Sequence, residues 1–228
     1  MIGTIINAAA IVVGGTIGIL FKKRLSEKTI EIAFQGLGLI TLGIGVSLFI
    51  KSHSLVVVVL SILAGSISGV LLNLNQRIEN AFAKLKKRFT AVGENFGDGL
   101  ITAFLLFCMG ALAILGPIEE GVGKGSQLLF TKATIDGFAA IALGSALGLG
   151  VLFSSIPLFI YQGSITVLAI YLGNFFDMAI IDDLSATGGV LLMGIGLNML
   201  KVTKIEISNM LPSILFAIVF SYIYIHIM

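Results

Sequence analysis

Ile2-Gly-Thr-Ile-Ile-Asn7-Ala-Ala-Ala-Ile-Val-Val-Gly14-Gly15-Thr-Ile-Gly18-Ile-Leu-Phe21, followed at once by Lys22-Lys23-Arg24, decides how the chain is read. Twenty residues without a charge match the length a helix needs to cross the hydrocarbon core of a bilayer. The basic cluster follows the apolar stretch instead of preceding it, which is the wrong order for a cleaved secretory signal, so a retained spanning helix is expected. The rest of the chain repeats the pattern. Over 228 residues, 57% are hydrophobic and 11% charged, and mean hydropathy is +1.09, far too apolar for a water-soluble domain of this size. The expected fold is therefore an all-α polytopic transmembrane bundle with the lipid bilayer as its solvent.

Eight apolar runs are candidates to cross: Ile2 to Phe21, Phe34 to Ile50, Leu55 to Leu74, Gly99 to Gly116, Ile135 to Phe153, Ile156 to Phe175, Leu184 to Val202 and Met210 to Ile227. Ser154 and Ser155 alone separate the fifth and sixth, which predicts a tight hairpin there, with Pro157 in the first turn of the following helix. Pro212 is expected to open the eighth in the same way. Lys22, Lys23, Arg24, Lys28, Arg77, Lys84, Lys86, Lys87, Arg88, Lys201 and Lys204 all fall on one side of such a bundle, leaving Lys51, Lys124 and Lys132 on the other. Basic residues near helix ends are kept cytoplasmic during insertion, so both termini are expected outside. Asn75 to Arg88 reads either as a solvated basic loop or as an amphipathic helix on anionic lipid.

Three echoes recur in the same order. Gly14-Gly-Thr-Ile-Gly18 resembles Gly144-Ser-Ala-Leu-Gly148, Phe34-Gln35-Gly36 resembles Tyr161-Gln162-Gly163, and Leu72-Asn73 through Glu79 resembles Leu197-Asn198 through Glu206. They suggest a duplication into two four-helix halves. The expected layout is 1–98 as the first repeat with its basic loop, 99–134 as the fourth helix and outer loop, and 135–228 as the second repeat. With every segment spanning, such repeats are parallel; a re-entrant segment inverts that.

Glycines at one-turn spacing (Gly14 and Gly18, Gly65 and Gly69, Gly144 and Gly148, and Gly189 with Gly194 and Gly196) are first of all contacts where helix backbones approach closely. The seventh run differs: Thr187 to Leu200 would reach only about 21 Å against a core of roughly 30 Å, and short glycine-interrupted segments point to transporter binding sites. Gln35, Gln162, Asn7, Asn73, Asn174 and Asn198 must face the bundle or an interface, because a polar group facing lipid is costly. Gln35 and Gln162 occupy matching places in the two halves, as interhelical clamps or as a pair of amides lining a pathway. No acid is deeply embedded in an apolar run, and no intramembrane His, Lys or Arg is evident, so a proton relay lacks a carrier. Asp98 and Asp136 read as caps opening helices four and five. Glu119 and Glu120 read as wet surface carboxylates, or as a cation-gathering outer mouth.

Some functions are excluded by composition. A net charge of +2 scattered in short loops makes no nucleic-acid face, one cysteine permits neither internal disulfide nor thiolate cluster, and no metal or cofactor motif is present. No nucleophile elbow, P-loop or zinc signature supports an enzyme.

Cys108-Met-Gly-Ala-Leu-Ala-Ile-Leu-Gly-Pro-Ile118 with Glu120-Gly121, then Lys132-Ala-Thr-Ile-Asp136-Gly137, Tyr161-Gln162-Gly163-Ser-Ile-Thr166 and the opening Gly3 to Asn7 with Gly14-Gly15 resemble the YdfK/YqgA family of uncharacterised bacterial membrane proteins over nearly the whole chain. The resemblance implies a membrane protein of unknown function with a loose link to biofilm behaviour. It singles out Asn7, Cys108, Gly116, Glu120, Asp136, Gln162 and Thr166 without giving them a task. The leading expectation is a transporter of an ion or small polar solute, with Gln35, Gln162, Asn7, Asn198, Thr166, Asp136 and Glu120 along its pathway. An oligomeric channel and a non-transporting scaffold or regulator are the alternatives, and glycine-faced helices make a homodimer plausible.

Overall fold

The computed structural model describes residues 1–21, 26–89, 94–108, 112–172 and 177–227. Lys22, Lys23, Arg24 and Asn174 lie outside them. The described residues form helices α1 (Ile2–Leu20), α2 (Glu27–Phe49), α3 (Leu55–Leu71), α4 (Leu74–Phe89), α5 (Glu94–Cys108), α6 (Leu112–Gly121), α7 (Gln127–Leu147), α8 (Gly150–Phe153), α9 (Ser155–Leu172), α10 (Met178–Met199), α11 (Ile207–Met210) and α12 (Ser213–Ile227). All-helical architecture follows from the solvent: in hydrocarbon each backbone N–H and C=O needs a partner within the chain, and a helix supplies it locally.

Six segments are long and apolar enough to cross a membrane: Ile2–Leu20, Glu31–Phe49, Gln127–Leu147, Gly150–Tyr171, Met178–Met199 and Ile207–Ile227. A seventh is assembled from Gly99–Cys108 and Leu112–Gly121, whose axes are inclined by 61°. α3, with 17 residues, is apolar but shorter. Length and composition thus support six or seven spans against the eight expected. Side chains such as Ile5, Val13, Leu39, Val56, Leu63, Ile160 and Leu215 lie exposed on these helices, as lipid-facing residues should.

Contacts divide the chain into two compact units, each drawn from both ends of the sequence: 1–34 with 80–173, and 35–79 with 174–228. In the first, α1 and α7 run parallel, Gly3 facing Leu129, Gly14 facing Gly137 and Gly18 facing Ile141. A Cβ on Gly14 or Gly18 would collide with the carbonyl oxygens of Gly137 and Ile141, so these glycines permit backbone contact. α8 and α9 run antiparallel to α1, with Gly15 against Leu152 of α8 and Asn7 against Gln162 of α9. The bent pair crosses this unit from end to end. Gly99 packs on Leu147 and Gly150 near the end of α7, whereas Gly116 packs on Leu129 near its start and Gly121 on Ala169. It is a broken span; a re-entrant loop would return to the end it left.

The second unit uses the same device. Gly45 and Gly189 face each other, as do Gly38 and Gly196, setting α2 antiparallel to α10, while Gly65 and Gly69 admit the backbones of Ser213 and Asn209. Asp183 of α10 is wholly buried and accepts hydrogen bonds from the Ser54 backbone nitrogen at 2.7 Å and the Ser221 hydroxyl at 2.9 Å. It thereby tethers the start of α3 to α10 and α12.

Four sequence expectations change. The chain reverses at Gly148, with φ +75, and not at Ser154-Ser155, whose hydroxyls donate to Val151 and Leu152 carbonyls and so remain in a helical run. α10 is continuous for 22 residues, about 33 Å, so the seventh segment is neither short nor broken. Residues 75–88 are helical, not a loop, beginning after Asn73 at φ +49. α7 starts at Gln127 and α5 at Glu94, so neither Asp136 nor Asp98 opens its helix.

Gly14→Val is expected to lower the thermal stability of the detergent-purified protein by about 1–3 kcal/mol or more, because the added carbons meet backbone. Gly43→Ala, with nothing within 4 Å of the new carbon, should leave the melting temperature unchanged or slightly raised.

Candidate functional site

In the first unit, three apolar helices each bring a polar residue to one point. α1 supplies Asn7, α7 supplies Lys132 and Asp136 one turn apart, and α9 supplies Gln162. Lys132 Nζ lies 2.6 Å from Asp136 Oδ2. The Asn7 amide nitrogen donates to the same Asp136 oxygen at 3.1 Å and to Gln162 Oε1 at 3.1 Å. Lys132 and Asp136 are 4% exposed, Asn7 and Gln162 0%. The expectation that no acid or base is embedded in a spanning run is thus overturned: Asp136 is the tenth residue of α7, not its cap.

Apolar residues one turn away on each helix keep the cluster dry. Ile11 follows Asn7, Ala139 and Ala140 follow Asp136, Leu158 precedes Gln162, and all belong to one buried core with Ala103, Phe107 and Val151. Charges so enclosed interact strongly, and leaving either one alone is costly. Two polar atoms remain without a hydrogen-bond partner despite full burial: Asn7 Oδ1 and Gln162 Nε2.

The other expected site residues are placed differently. Thr166 sits one turn beyond Gln162 and donates to its backbone carbonyl at 3.1 Å. Glu120, expected wet, is instead a tie at the end of α6: its Oε1 accepts from the Gly3 nitrogen at 2.8 Å and the Ser126 hydroxyl at 2.6 Å, joining α6 to the first turns of α1 and α7. Asn198, in the second unit, is occupied by its own loop, donating to the Ile205 carbonyl at 2.7 Å and accepting from the Ile205 nitrogen at 2.8 Å. Gln35 lies exposed on α2. The structure therefore brings together Asn7, Asp136 and Gln162, and not Gln35 or Asn198.

Sequence reading missed Lys132. Its signal was the four-residue spacing to Asp136 together with Ser126, a possible helix start ten residues before Asp136; the polar run Thr131-Lys132-Ala-Thr134 concealed that the helix begins there. Among the described residues no three His, Cys, Asp or Glu side chains converge as metal ligands.

These features define a helical integral membrane protein with a dry, charged polar joint inside one unit. The chain belongs to the family described as "Protein of unknown function (DUF554)", which it matches over residues 2–222. It is 33% identical over 219 residues to the "Uncharacterized membrane protein YdfK" of Bacillus subtilis, covering 94% of this chain and 93% of that one. It is 32% identical over 223 residues to the "Uncharacterized protein YqgA" of Escherichia coli, covering 95% and 94%. No solved structure matches it.

Lys132→Met alone, leaving Asp136 buried without its counter-charge, should cost about 3–5 kcal/mol in thermal or denaturant unfolding. Lys132→Met combined with Asp136→Leu should recover most of that loss, and a double variant no more stable than the single one would show that the loss does not come from an uncompensated buried charge.

Proposed function

We propose that the protein is a non-enzymatic transporter of an ion or small polar solute, with the joint of Asn7, Lys132, Asp136 and Gln162 on its pathway. The observation that carries this is the burial of a charged pair and two amides on three apolar helices. Ionisable groups at membrane depth are costly and mark ion pathways and proton relays. A structural clamp is expected to satisfy most of its buried amide atoms, and here two are without partners. Gln35 and Asn198 have no part in this reading. With an even number of crossings, the distribution of Lys and Arg supports both termini on the outer face of a bacterial cytoplasmic membrane.

Purified protein in liposomes on a solid-supported membrane, challenged with gradients of inorganic ions, amino acids and organic acids, should give a solute-dependent current. Gln162→Leu should reduce it by about tenfold or more, the equivalent of one lost hydrogen bond to a buried polar network. Currents too fast for a carrier cycle would instead favour a channel, and silence across the panel together with unaltered flux in electroneutral dye assays would favour a scaffold.

A further inference from the structure

The unpartnered atoms say more about this joint. Asn7 spends its nitrogen on two acceptors, Asp136 Oδ2 and Gln162 Oε1, while its own Oδ1 and Gln162 Nε2 stay unused. A carboxamide keeps its shape when turned over about its last bond, exchanging one acceptor for two donors. Turning Asn7 over against an ionised Asp136 would press Oδ1 onto two other acceptors, so the observed arrangement belongs to the carboxylate. With a proton on Asp136 Oδ2 the preference reverses. The new O–H donates to Asn7 Oδ1, and Gln162, turned likewise, donates Nε2 to that same oxygen. The atoms left over in one arrangement are used in the other, and Asn7 Nδ2 and Gln162 Oε1 are left over in their place, so the two arrangements satisfy the amides equally and the proton on Asp136 decides between them.

We propose that Asp136 is a proton-binding site whose occupancy is read by the side-chain amides of Asn7 and Gln162, and that it couples proton movement to transport. The physiological use rests on the transport reading above; the proton site does not.

The step balances without another reactant. One proton from water forms an O–H bond on the Asp136 carboxylate, and Lys132 keeps its ammonium while losing its counter-ion, so the pair passes from neutral to singly positive. Release of the proton restores the ion pair. An extra charge in a dry site is costly, and movement of a second charged or polar species that offsets it is what would tie the proton to a solute. A proton also suits the packing, since α1 and α7 meet with Gly14 and Gly18 against carbonyl oxygens and a proton requires no cavity. A hard metal ion would use oxygens only and leave Gln162 Nε2 idle.

The titratable groups around Asp136 are few. Lys132 lies on its own helix. The Cys108 thiol of α5 is close enough to feel both Lys132 and Asp136, and Tyr161 of α9 is close enough to feel Cys108; both are ordinarily neutral at neutral pH and below. α1 and α8 carry no ionisable side chain, and Glu120 of α6 is held by Gly3 and Ser126.

Infrared difference spectra of the full-length protein in lipid, recorded between neutral and acid buffer, test the site directly. Wild type should gain a protonated-carboxyl band together with changes in side-chain amide bands. Asp136→Asn should lose the carboxyl band, Asp136→Glu should retain it at a moved position, and Gln162→Leu should retain it with a smaller amide change, that of Asn7 alone. A wild-type spectrum without the band, or a band unaffected by both Asp136 variants, would overturn the inference even with transport intact. If the band behaves as expected but a pH-sensitive dye in liposomes reports no proton movement with any solute, the proton site stands and the transport reading falls.

Discussion

The contact between Lys132 and Asp136 depends on a condition that most of the first unit serves. Two opposite charges can sit among apolar helices only if they touch and their remaining hydrogen-bonding capacity is largely met. α7 provides the contact by itself, through a one-turn spacing. The third partner must come from a neighbouring helix, and Asn7 has a short side chain, so α1 has to lie very near. Gly14, Gly18 and Gly144 make that approach possible along the same seam. The glycine contacts and the polar joint are therefore one arrangement: without the close backbones the amide would not reach the carboxylate, and without the joint the paired charges would have weaker reason to remain.

The second unit shows what a fully structural acid looks like in the same environment. Asp183 is as deeply buried as Asp136, yet its two oxygens are taken by a backbone N–H at the start of α3 and by a serine hydroxyl. A carboxylate at a helix N-terminus is stabilised by exposed N–H groups and the helix dipole, and needs no counter-charged side chain. Neither Asp183 nor Ser54 nor Ser221 has a buried side-chain atom left without a partner. At Asp136 a lysine is recruited and two amide atoms stay idle, a pattern better suited to changing partners than to holding one arrangement. Burial alone does not separate the two acids; the account of their partners does.

Glu120 and Asn198 illustrate how polar residues at helix ends are absorbed by the fold. Glu120 closes the gap between α6 and the starts of α1 and α7, and Asn198 organises the turn after α10. Both satisfy backbone groups near helix termini that would otherwise lack a partner within the chain.

The sequence by itself determined that this is an all-helical membrane protein, where most apolar segments lie, and that Asn7 and Gln162 merit attention, because hydropathy over about 20 residues and the cost of polar groups in lipid are properties of the local chain, whereas Asp136 read as a cap and was marked only by the family resemblance. It misplaced the reversal at Gly148, the start of α7 and the length of α10, since helix ends depend on capping and packing that polar-looking residues such as Lys132 and Asp182 disguise. It could not foresee that Gln162 would join Asn7 and Asp136 while Gln35 stayed exposed. The tertiary structure alone decided that, because α1, α7 and α9 are brought together by glycine contacts between residues more than a hundred positions apart, and no local pattern encodes which helix a side chain will meet.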